Sequence, residues 1–367
     1  MKGYVINTQA VKANVEVVRR KAGDRVVYGV VKSNGYGMGL VPFAETLIES
    51  GITLLAVYSY EEAVELRESG IEQEILVLCQ PYNDETARLA VEYGLTVTVG
   101  STEAAVLLNG MATEEKVTAR VHLEIDTGMG RGGFLWRDTD KLFNLFRFMP
   151  ALKVEGIYTH LAYAHKPKAK YTQLQLSRFD GVLACLKKEN VVYGISHVAN
   201  SQLLFRGGED LYDAVRVGSA LVGRVDGDFG LQRVGLLEGQ ITDLKWLPKG
   251  SCVGYGAGYR CRKNSKIAII NVGQADGVGI QRRPDLFRVR DVARYVWHDL
   301  LLLLRKKPVC CTVNGKKAQL VGRVSLSCAA ADVSNVDCKV GDTVYFDVIP
   351  MFVNGVLPRI YTEGENK

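Results

Sequence analysis

The stretch "RVVYGVVKSNGYGMG", residues 25–39, decides between fold classes. Its apolar half predicts a buried strand, because continuous valine-rich runs are typical of strands that are covered on both faces. The run stops at Lys32, and Ser33, Asn34 and three glycines follow, as in a loop. A lysine at a strand end commonly does no more than reach water. In a barrel of parallel strands, however, the loops that follow the strands carry the chemistry.

Similar apolar runs recur through the first two thirds of the chain. They alternate with helix-like stretches, which indicates βαβ units and a parallel sheet. About eight such units, over roughly 250 residues, close into a (β/α)8 barrel. The further runs are "TLLAVYS", "EILVLCQ", "LTVTVG", "ARVHLEID", "VEGIYTHL" and "GISHVAN".

The pattern changes near Leu236. Strands now follow one another through turns that contain Gly, Asn and Pro, and the Asn-Gly of "VNGKKA" is a strong hairpin signal. We therefore expect an α/β protein, with a TIM-like (β/α)8 barrel over residues 1–235 and an all-β C-terminal domain over residues 236–367.

Composition narrows the classes of function. The net charge of +6 is mild for 367 residues, and no dense Lys/Arg tract with interleaved aromatics predicts nucleic-acid binding. The eight cysteines form no CxxC pair, which favours free thiols and predicts no metal site. No signal peptide opens the chain and no apolar run is long enough to span a bilayer.

Two later segments are less typical. The basic stretch from Gln281 to Arg294 predicts a solvated loop. "WHDLLLLLRKK", residues 297–307, predicts a buried or docked helix that covers the domain or meets a partner.

Polar residues recur just after the predicted barrel strands. One such residue alone is usually structural, but the carboxyl ends of all eight strands share one mouth of a barrel, where these side chains would meet. They are Lys32, Asp126, Arg131, His160, His197, Asn200, Ser201, Arg216, Gly218 and Ser219.

This set fits pyridoxal phosphate chemistry. A desolvated lysine bonds a carbonyl cofactor, and a phosphate needs backbone N–H groups, hydroxyls and a glycine that lets the chain approach closely. Tyr36, Ser201, Gly218 and Ser219 supply these. An arginine at the pyridine nitrogen can only donate, so the ring stays a weak electron sink and suits movement of the α-proton rather than transamination.

The motifs resemble those of the alanine racemase family, in order and over nearly the whole chain. "VVKSNGYGMG" resembles the lysine motif, and "EIDTGMGRGG", "GIYTHLA", "SHVANS", "VRVGSALVG", "VGYGAGY", "ADG" and "VGRVS" resemble the rest. The resemblance implies fold-type III, with pyridoxal 5′-phosphate as cofactor. It also implies a homodimer whose sites mix residues of both subunits.

The resemblance also implies residue roles. Lys32 would be the Schiff-base lysine and one catalytic base, and Tyr255, from the partner subunit, would be the second base on the opposite face of the α-carbon. His160 would pack beside the cofactor ring, and Arg216, supported by His197, would meet the pyridine nitrogen. The phosphate would be held by Tyr36, Ser201, Gly218 and Ser219. Arg131 and the backbone at Leu326 would bind the substrate carboxylate.

Some positions depart from the family pattern. Glu124 stands where many members carry a carbamylated lysine, and we expect its carboxylate to steer Arg131 without a carbon dioxide adduct. Asn354-Gly355 replace a tyrosine that crowds the substrate side chain. The loss of that phenol opens space, and the Asn354 amide can hydrogen-bond a hydroxyl, which predicts that serine is accepted beside alanine. A plain Asn-Gly turn is the alternative.

The substrate corridor also differs. Arg323 of "VGRVSL" is kept, but Ser325-Leu326-Ser327 and Gln274 replace the usual residues, and the segment from Gly277 to Val321 is longer than is usual. These departures resemble the racemase domain of the membrane-bound serine/alanine racemases of vancomycin-resistance operons. The resemblance implies a cytoplasmic domain of a membrane-anchored parent that supplies D-serine or D-alanine for peptidoglycan precursors. The abrupt start of the chain fits a missing upstream segment.

Three alternatives stay open. The first is a housekeeping alanine racemase whose corridor residues have drifted. The second, a fold-type III decarboxylase, would want an acidic partner at the pyridine nitrogen, where Arg216 stands. The third is a non-catalytic carrier of pyridoxal phosphate, and Tyr255 and the complete second domain argue against it.

Overall fold

The computed structural model describes residues 2–207, 211–280, 289–305 and 309–364, without the side chains of 291, 298 and 302–305. Two compact units emerge, one formed by Thr8–Val234 and the other by Met1–Asn7 with Gly235–Lys367. The division after Val234 lies close to the predicted one. The first seven residues, which we expected in the barrel, belong instead to the second unit, because their strand pairs there.

The strands, in chain order, are β1 (Gly3–Asn7), β2 (Val26–Val30), β3 (Leu54–Val57), β4 (Glu74–Val77), β5 (Thr96–Val99), β6 (Ala119–Asp126), β7 (Phe134–Leu135), β8 (Leu152–Thr159), β9 (Ile195–Asn200), β10 (Ala214–Val217), β11 (Gly235–Leu247), β12 (Cys252–Val253), β13 (Tyr259–Arg260), β14 (Ser265–Ile270), β15 (Cys310–Val313), β16 (Lys316–Leu320), β17 (Ala329–Asp332), β18 (Thr343–Phe346) and β19 (Arg359–Thr362).

The helices are α1 (Thr8–Ala22), α2 (Lys32–Tyr36), α3 (Leu40–Glu49), α4 (Tyr60–Glu68), α5 (Asp84–Glu92), α6 (Thr102–Glu114), α7 (Thr139–Phe148), α8 (Lys170–Lys188), α9 (Ser201–Arg206) and α10 (Val289–Arg305), with 3-10 turns at Tyr255–Ala257, Gln274–Asp276 and Pro350–Phe352. None of the helices in the described part of the chain is both long and apolar enough to cross a lipid bilayer.

The first unit is a closed barrel of eight parallel strands. Their order is β2-β3-β4-β5-β6-β8-β9-β10, and β10 returns to pair with β2 in parallel, Ala214 opposite Val26. The predicted (β/α)8 barrel is therefore confirmed. Side-chain caps mark where several outer helices begin: Ser59 accepts from Glu62 N at the start of α4, and Asn83 accepts from Thr86 N at the start of α5.

The barrel core is unusual in containing a polar layer. Tyr28, His122, Tyr158, His197 and Arg216 are all buried and come from five different strands. A Cβ at Gly156 would lie 2.6 Å from two atoms of the His122 ring, so that glycine makes room for the imidazole. The centre of this barrel is thus a hydrogen-bonded cluster rather than layers of branched aliphatic side chains.

The second unit is an all-β structure, as predicted, and its described strand pairs are antiparallel except for β1 with β19, which is parallel. Strands β14-β17-β16-β15-β18-β11 pair in sequence, β11 also pairs with β14, and β1 and β19 extend the sheet beyond β11. The predicted hairpin is confirmed: Val313 pairs with Lys316 across Asn314 and Gly315, whose φ angles of 48° and 74° suit a turn with two left-handed residues.

Two predictions for the segment before β15 need correction. The described part of the basic stretch, from Val289 onward, is the start of α10 rather than a loop, and residues 281–288 lie outside the described residues. The leucine-rich stretch is helical as expected, but it is not buried at its described positions: Trp297 is 61% exposed and Leu300 is 43% exposed.

Candidate active site

A cavity of about 210 Å³ lies at the carboxyl ends of the barrel strands. Nine residues predicted from the sequence meet there, although they are spread over almost 190 positions of the chain: Lys32, Tyr36, Arg131, His160, Asn200, Ser201, Arg216, Gly218 and Ser219. Because loops after neighbouring parallel strands converge, distance in the sequence is no obstacle to a shared site.

Lys32 lies at the cavity wall, separated by one residue from the end of β2. Burial, and next the positive charge of Arg131, lower the pKa of its ammonium group below the ordinary lysine value. The Nζ atom lies 5.8 Å from the centre of the Tyr58 ring. A lowered pKa gives a larger fraction of neutral amine near neutral pH, which is the form that attacks a carbonyl.

The backbone after Lys32 turns in the left-handed sense. Ser33, Asn34 and Tyr36 have φ angles of 57°, 54° and 55°, with Gly35 at 62° between them. Asn34 Oδ1 accepts from Leu40 N at 2.8 Å, which ties the turn to the start of α3. Non-glycine residues pay a steric cost in this region and occur there singly, so three in one turn are a strained feature. Lys32 and Tyr36, at the two ends of the turn, both line the cavity.

One side of the cavity is suited to a phosphate. Ser201 Oγ accepts from the backbone N–H groups of Gly218 and Ala220, at 3.1 and 3.2 Å. A Cβ at Gly218 would lie 2.4–2.5 Å from Tyr36 ring atoms, so only glycine allows this approach. Burial raises the pKa of Tyr36 to about 12, which keeps its phenol protonated and able to donate.

Arg216 is held by a chain of hydrogen bonds behind the cavity. Its Nη1 donates to His197 Nδ1 and to the His197 carbonyl, and its Nη2 donates to the Thr159 carbonyl at 3.0 Å. Because arginine can only donate, His197 carries its proton on Nε2 and donates to His122 Nδ1 at 2.8 Å. The Arg216 guanidinium also lies 4.5 Å from the centre of the Tyr158 ring.

Burial beside this guanidinium keeps the histidines neutral. Desolvation, followed by the charge of Arg216, lowers the pKa of His122 to about 3 and that of His197 well below its ordinary value. The same two causes lower the pKa of His160, which lines the cavity, to about 3. The positive charge therefore stays on Arg216.

Arg131 comes from the loop after β6. Asp126 organises this loop, since its Oδ1 accepts from the N–H groups of Gly128, Met129 and Gly130 at 2.8, 2.8 and 3.1 Å. Glu124, two residues earlier on the strand, lies close enough to Arg131 for the two charges to interact. Burial raises the pKa of the Glu124 carboxyl, and Arg131 acts in the opposite direction.

The remaining predicted residues lie in the second unit. Tyr255 is 71% exposed on a tight turn, and a Cβ at the preceding Gly254 would lie 2.9 Å from Arg323 N. The Leu326 carbonyl accepts from Ala275 N at 2.9 Å, and the Leu326 side chain is exposed.

Asn354 forms a turn of its own. Its Oδ1 accepts from Val356 N at 3.0 Å and its carbonyl accepts from Arg359 Nη1 at 2.6 Å. These bonds are those of the plain turn that was the alternative explanation for Asn354.

Several lining residues were missed as site candidates. Tyr58 and Tyr158 line the cavity, and His122 supports it from below. Tyr158 lies two residues after Gly156 on β8 and two residues before His160, which follows the strand, so the period of two could have predicted Tyr158. Tyr58 stands beyond the end of β3 in an ordinary-looking turn, and its sequence context carries no comparable signal.

The residues present fit pyridoxal 5′-phosphate. The cavity places an amine of lowered pKa, a buried guanidinium and a hydroxyl-lined cradle that a Cβ would fill around one space. Groups of these kinds would bond the aldehyde, face the ring nitrogen and hold the phosphate of this cofactor.

The barrel and its cavity define a class of enzymes that hold a carbonyl cofactor on a lysine. Comparison with known sequences is specific: the N-terminal domain of alanine racemase matches residues 6–225, and the C-terminal domain matches residues 234–347. The chain belongs to the alanine racemase family. It is an amino-acid racemase, and the enzymes of this family use pyridoxal 5′-phosphate.

Individual relatives cover most of the chain. The alanine racemase of Desulforamulus reducens is 35% identical over 349 residues, 92% of this chain and 88% of that protein. That of Halothermothrix orenii is 33% identical over 346 residues, covering 92% and 85%. Among solved structures, the alanine racemase from D-cycloserine-producing Streptomyces lavendulae is 27% identical with a TM-score of 0.84, covering 99% and 97% of the two chains.

Proposed function

We propose that the protein interconverts L- and D-alanine. The observation that carries this is the cavity that unites Lys32 with Arg216, in a chain whose similar proteins are named alanine racemases. This is the alternative that the sequence left open beside serine, and the comparisons favour it. The match of the C-terminal domain counts against the carrier alternative.

The hydrogen bonds that hold Arg216 determine the type of reaction. Bound pyridoxal phosphate would supply electron withdrawal at the substrate α-carbon, with Arg216 against its pyridine nitrogen and Tyr36, Ser201, Gly218 and Ser219 around its phosphate. Arg216 is held by His197 and Thr159 and cannot give up a proton, so it would leave the nitrogen of a bound cofactor ring neutral. A neutral ring would withdraw electrons weakly, which would favour return of the proton to the α-carbon.

Two bases would exchange that proton. Lys32, with its lowered pKa, serves one face of the α-carbon, and Tyr255 of the partner subunit serves the other. His160, neutral and in the cavity, can accept a hydrogen bond from that phenol and favour its ionisation. Arg131 and the backbone at Leu326 bind the substrate carboxylate, while Arg323 lines its approach.

Glu124 is proposed to hold Arg131 in place of a carbamylated lysine. Its raised pKa means that it loses its charge at a higher pH than an ordinary glutamate as the solution is acidified. Because the glutamate carboxylate forms without a carbon dioxide adduct, racemase activity should be independent of added bicarbonate. A rise in activity with bicarbonate would refute this role.

The direct test of the proposal is chiral analysis. Purified protein loaded with pyridoxal phosphate should convert L-alanine to a mixture of both enantiomers, and Lys32→Ala should lower the rate by at least about a thousandfold. Lys249→Ala, on an exposed turn of the second unit, is the matched control and should keep its activity. Equal activity of the Lys32 variant would overturn the assignment.

A second candidate substrate is serine, which the identity of Asn354 favours. The residue is exposed on its turn; its Oδ1 accepts from Val356 N, and its Nδ2 can donate to a substrate hydroxyl. Asn354→Tyr should lower the turnover of L-serine relative to L-alanine, and an unchanged ratio would refute the proposal. A supply of D-serine for altered peptidoglycan precursors would require that serine is a substrate.

A further inference from the structure

A second cavity lies against Lys32, next to the cavity of the candidate active site. It has a volume of about 350 Å³ and is lined by Lys32, Ser33, Tyr58, Ser59 and Glu62. Lys32 and Tyr58 line both cavities, so the two spaces meet at these side chains. Glu62 thus brings a carboxylate close to the amine that is proposed to act as a base.

The Glu62 carboxylate joins the loop after β2 to the loop after β3. Its Oε1 accepts from Asn34 N at 3.3 Å, in the left-handed turn that follows Lys32. Its Oε2 accepts from Tyr58 N at 3.2 Å and from Ser59 N at 3.4 Å, and the Ser59 bond completes the capping box at the start of α4. A capping box needs only the bond to Ser59. The other two bonds fix the backbone beside Lys32 to that of Tyr58, whose ring centre lies 5.8 Å from Lys32 Nζ.

The charges around Lys32 come from several elements of the barrel. Burial and then the charge of Arg131 lower the pKa of the amine, Arg216 also lowers it, and Glu62 acts in the opposite direction. His160 is neutral in the same space, because burial and the two arginines lower its pKa to about 3. Glu62 therefore offsets part of the repulsion from the arginines. The other titratable groups that line the two cavities are the phenols of Tyr36, Tyr58 and Tyr158.

We propose that Glu62 is a positioning residue for Lys32, which holds the turn next to the amine and offers a negative charge to its ammonium form. The inference rests on the proposed role of Lys32 as a base. When such a base removes the α-proton, the proton moves to Nζ and the electron pair of the broken bond stays with the carbon. The two arginines disfavour the ammonium ion that results, and a carboxylate at the same place favours it.

The test follows the Lys32 amine in the full chain, freed of cofactor, with pyridoxal phosphate as the probe. Glu62→Gln keeps an oxygen that can accept the same bonds and suits a capping box, but it removes the charge. The rate of bonding to pyridoxal phosphate should therefore rise toward its maximum at lower pH than in the parent. Glu61→Gln, at the exposed neighbour in the same helical turn, is the matched control and should keep the parental curve.

Glu62→Asp tests the hold on the turn, because it keeps the charge on a side chain that is one methylene shorter. Its affinity for pyridoxal phosphate should fall about fivefold, the effect of losing one capping contact. A parental or higher-pH curve for Glu62→Gln overturns the proposal, since Glu62 would then only cap α4. Parental affinity in Glu62→Asp overturns it too. Neither readout requires racemisation, so failure here is distinct from failure of the alanine assignment in the chiral analysis.

Discussion

At the scale of single residues, small geometric facts decide what the cavity can hold. Gly218 allows the Tyr36 ring to approach, and Gly156 leaves room for the His122 ring inside the barrel. Arg216 is fixed because His197 and the Thr159 carbonyl both accept hydrogen bonds from its guanidinium group. Each of these is a position where the side chain, or its absence, has a specific steric or hydrogen-bonding reason.

Gly218→Ala should weaken cofactor binding without unfolding the barrel. The new Cβ would lie 2.4–2.5 Å from Tyr36 ring atoms, so the phenol must move away from the proposed phosphate site. Overpacking of this kind costs about 1–3 kcal/mol, which predicts at least about a fivefold loss of pyridoxal phosphate affinity in a fluorescence titration. Gly181→Ala, in α8 with no atom within 4 Å of the added Cβ, should titrate like the parent.

Arg131→Gln should shift the pH at which Lys32 becomes reactive. The charge of Arg131 lowers the pKa of Lys32, so its removal raises that pKa and leaves less neutral amine at a given pH. The rate at which cofactor-free protein bonds pyridoxal phosphate should then rise toward its maximum at higher pH than in the parent. A curve displaced to lower pH would contradict the electrostatic account. Arg137→Gln, six residues along the same segment, is the control.

At the scale of elements, the alternation of strands and helices was readable from hydrophobic periodicity. The run "ARVHLEID" corresponds residue for residue to β6, and the Asn-Gly hairpin lies where it was predicted. What periodicity could not reveal was the left-handed turn from Ser33 to Tyr36, since backbone handedness at non-glycine residues leaves no mark in the hydrophobic pattern.

Ser33→Gly should therefore stabilise the protein. Ser33 is exposed at a φ of 57°, where a Cβ is unfavourable and glycine is not. After allowance for the greater freedom of glycine in the unfolded chain, we expect a gain of about 0.5–1 kcal/mol in the free energy of unfolding, measured by urea denaturation. Ser50→Gly, at a φ of −84° and with a hydroxyl bonded to the Thr46 carbonyl, should instead destabilise.

At the scale of the whole molecule, the sequence predicted both units and their boundary within about a residue, but it misplaced the first seven. Strand β1 pairs with β11 and β19, more than 200 residues away, and no local pattern can assign a strand to one of two sheets. The cavity was foreseen as a set of strand-end residues. Tyr58 and the support from His122 were not, because they depend on which neighbours the closed barrel brings together.

The proposed sharing of sites between subunits predicts complementation. When Lys32→Ala and Tyr255→Phe proteins are mixed under conditions that exchange subunits, half of the dimers are hybrids, and one of the two sites in each hybrid has both bases. Activity should recover to about one quarter of the parent value, from two proteins that are each nearly inactive. No recovery, with exchange verified by a tag on one variant, would contradict a site built from two chains.

The most direct test of the two-base account is exchange of the α-hydrogen in deuterated water. In Tyr255→Phe, Lys32 still faces one side of the α-carbon, so one enantiomer of alanine should take up deuterium while the other does not and racemisation is lost. Uptake from both enantiomers at equal rates in that variant would mean that a single base serves both faces, and the account would be wrong.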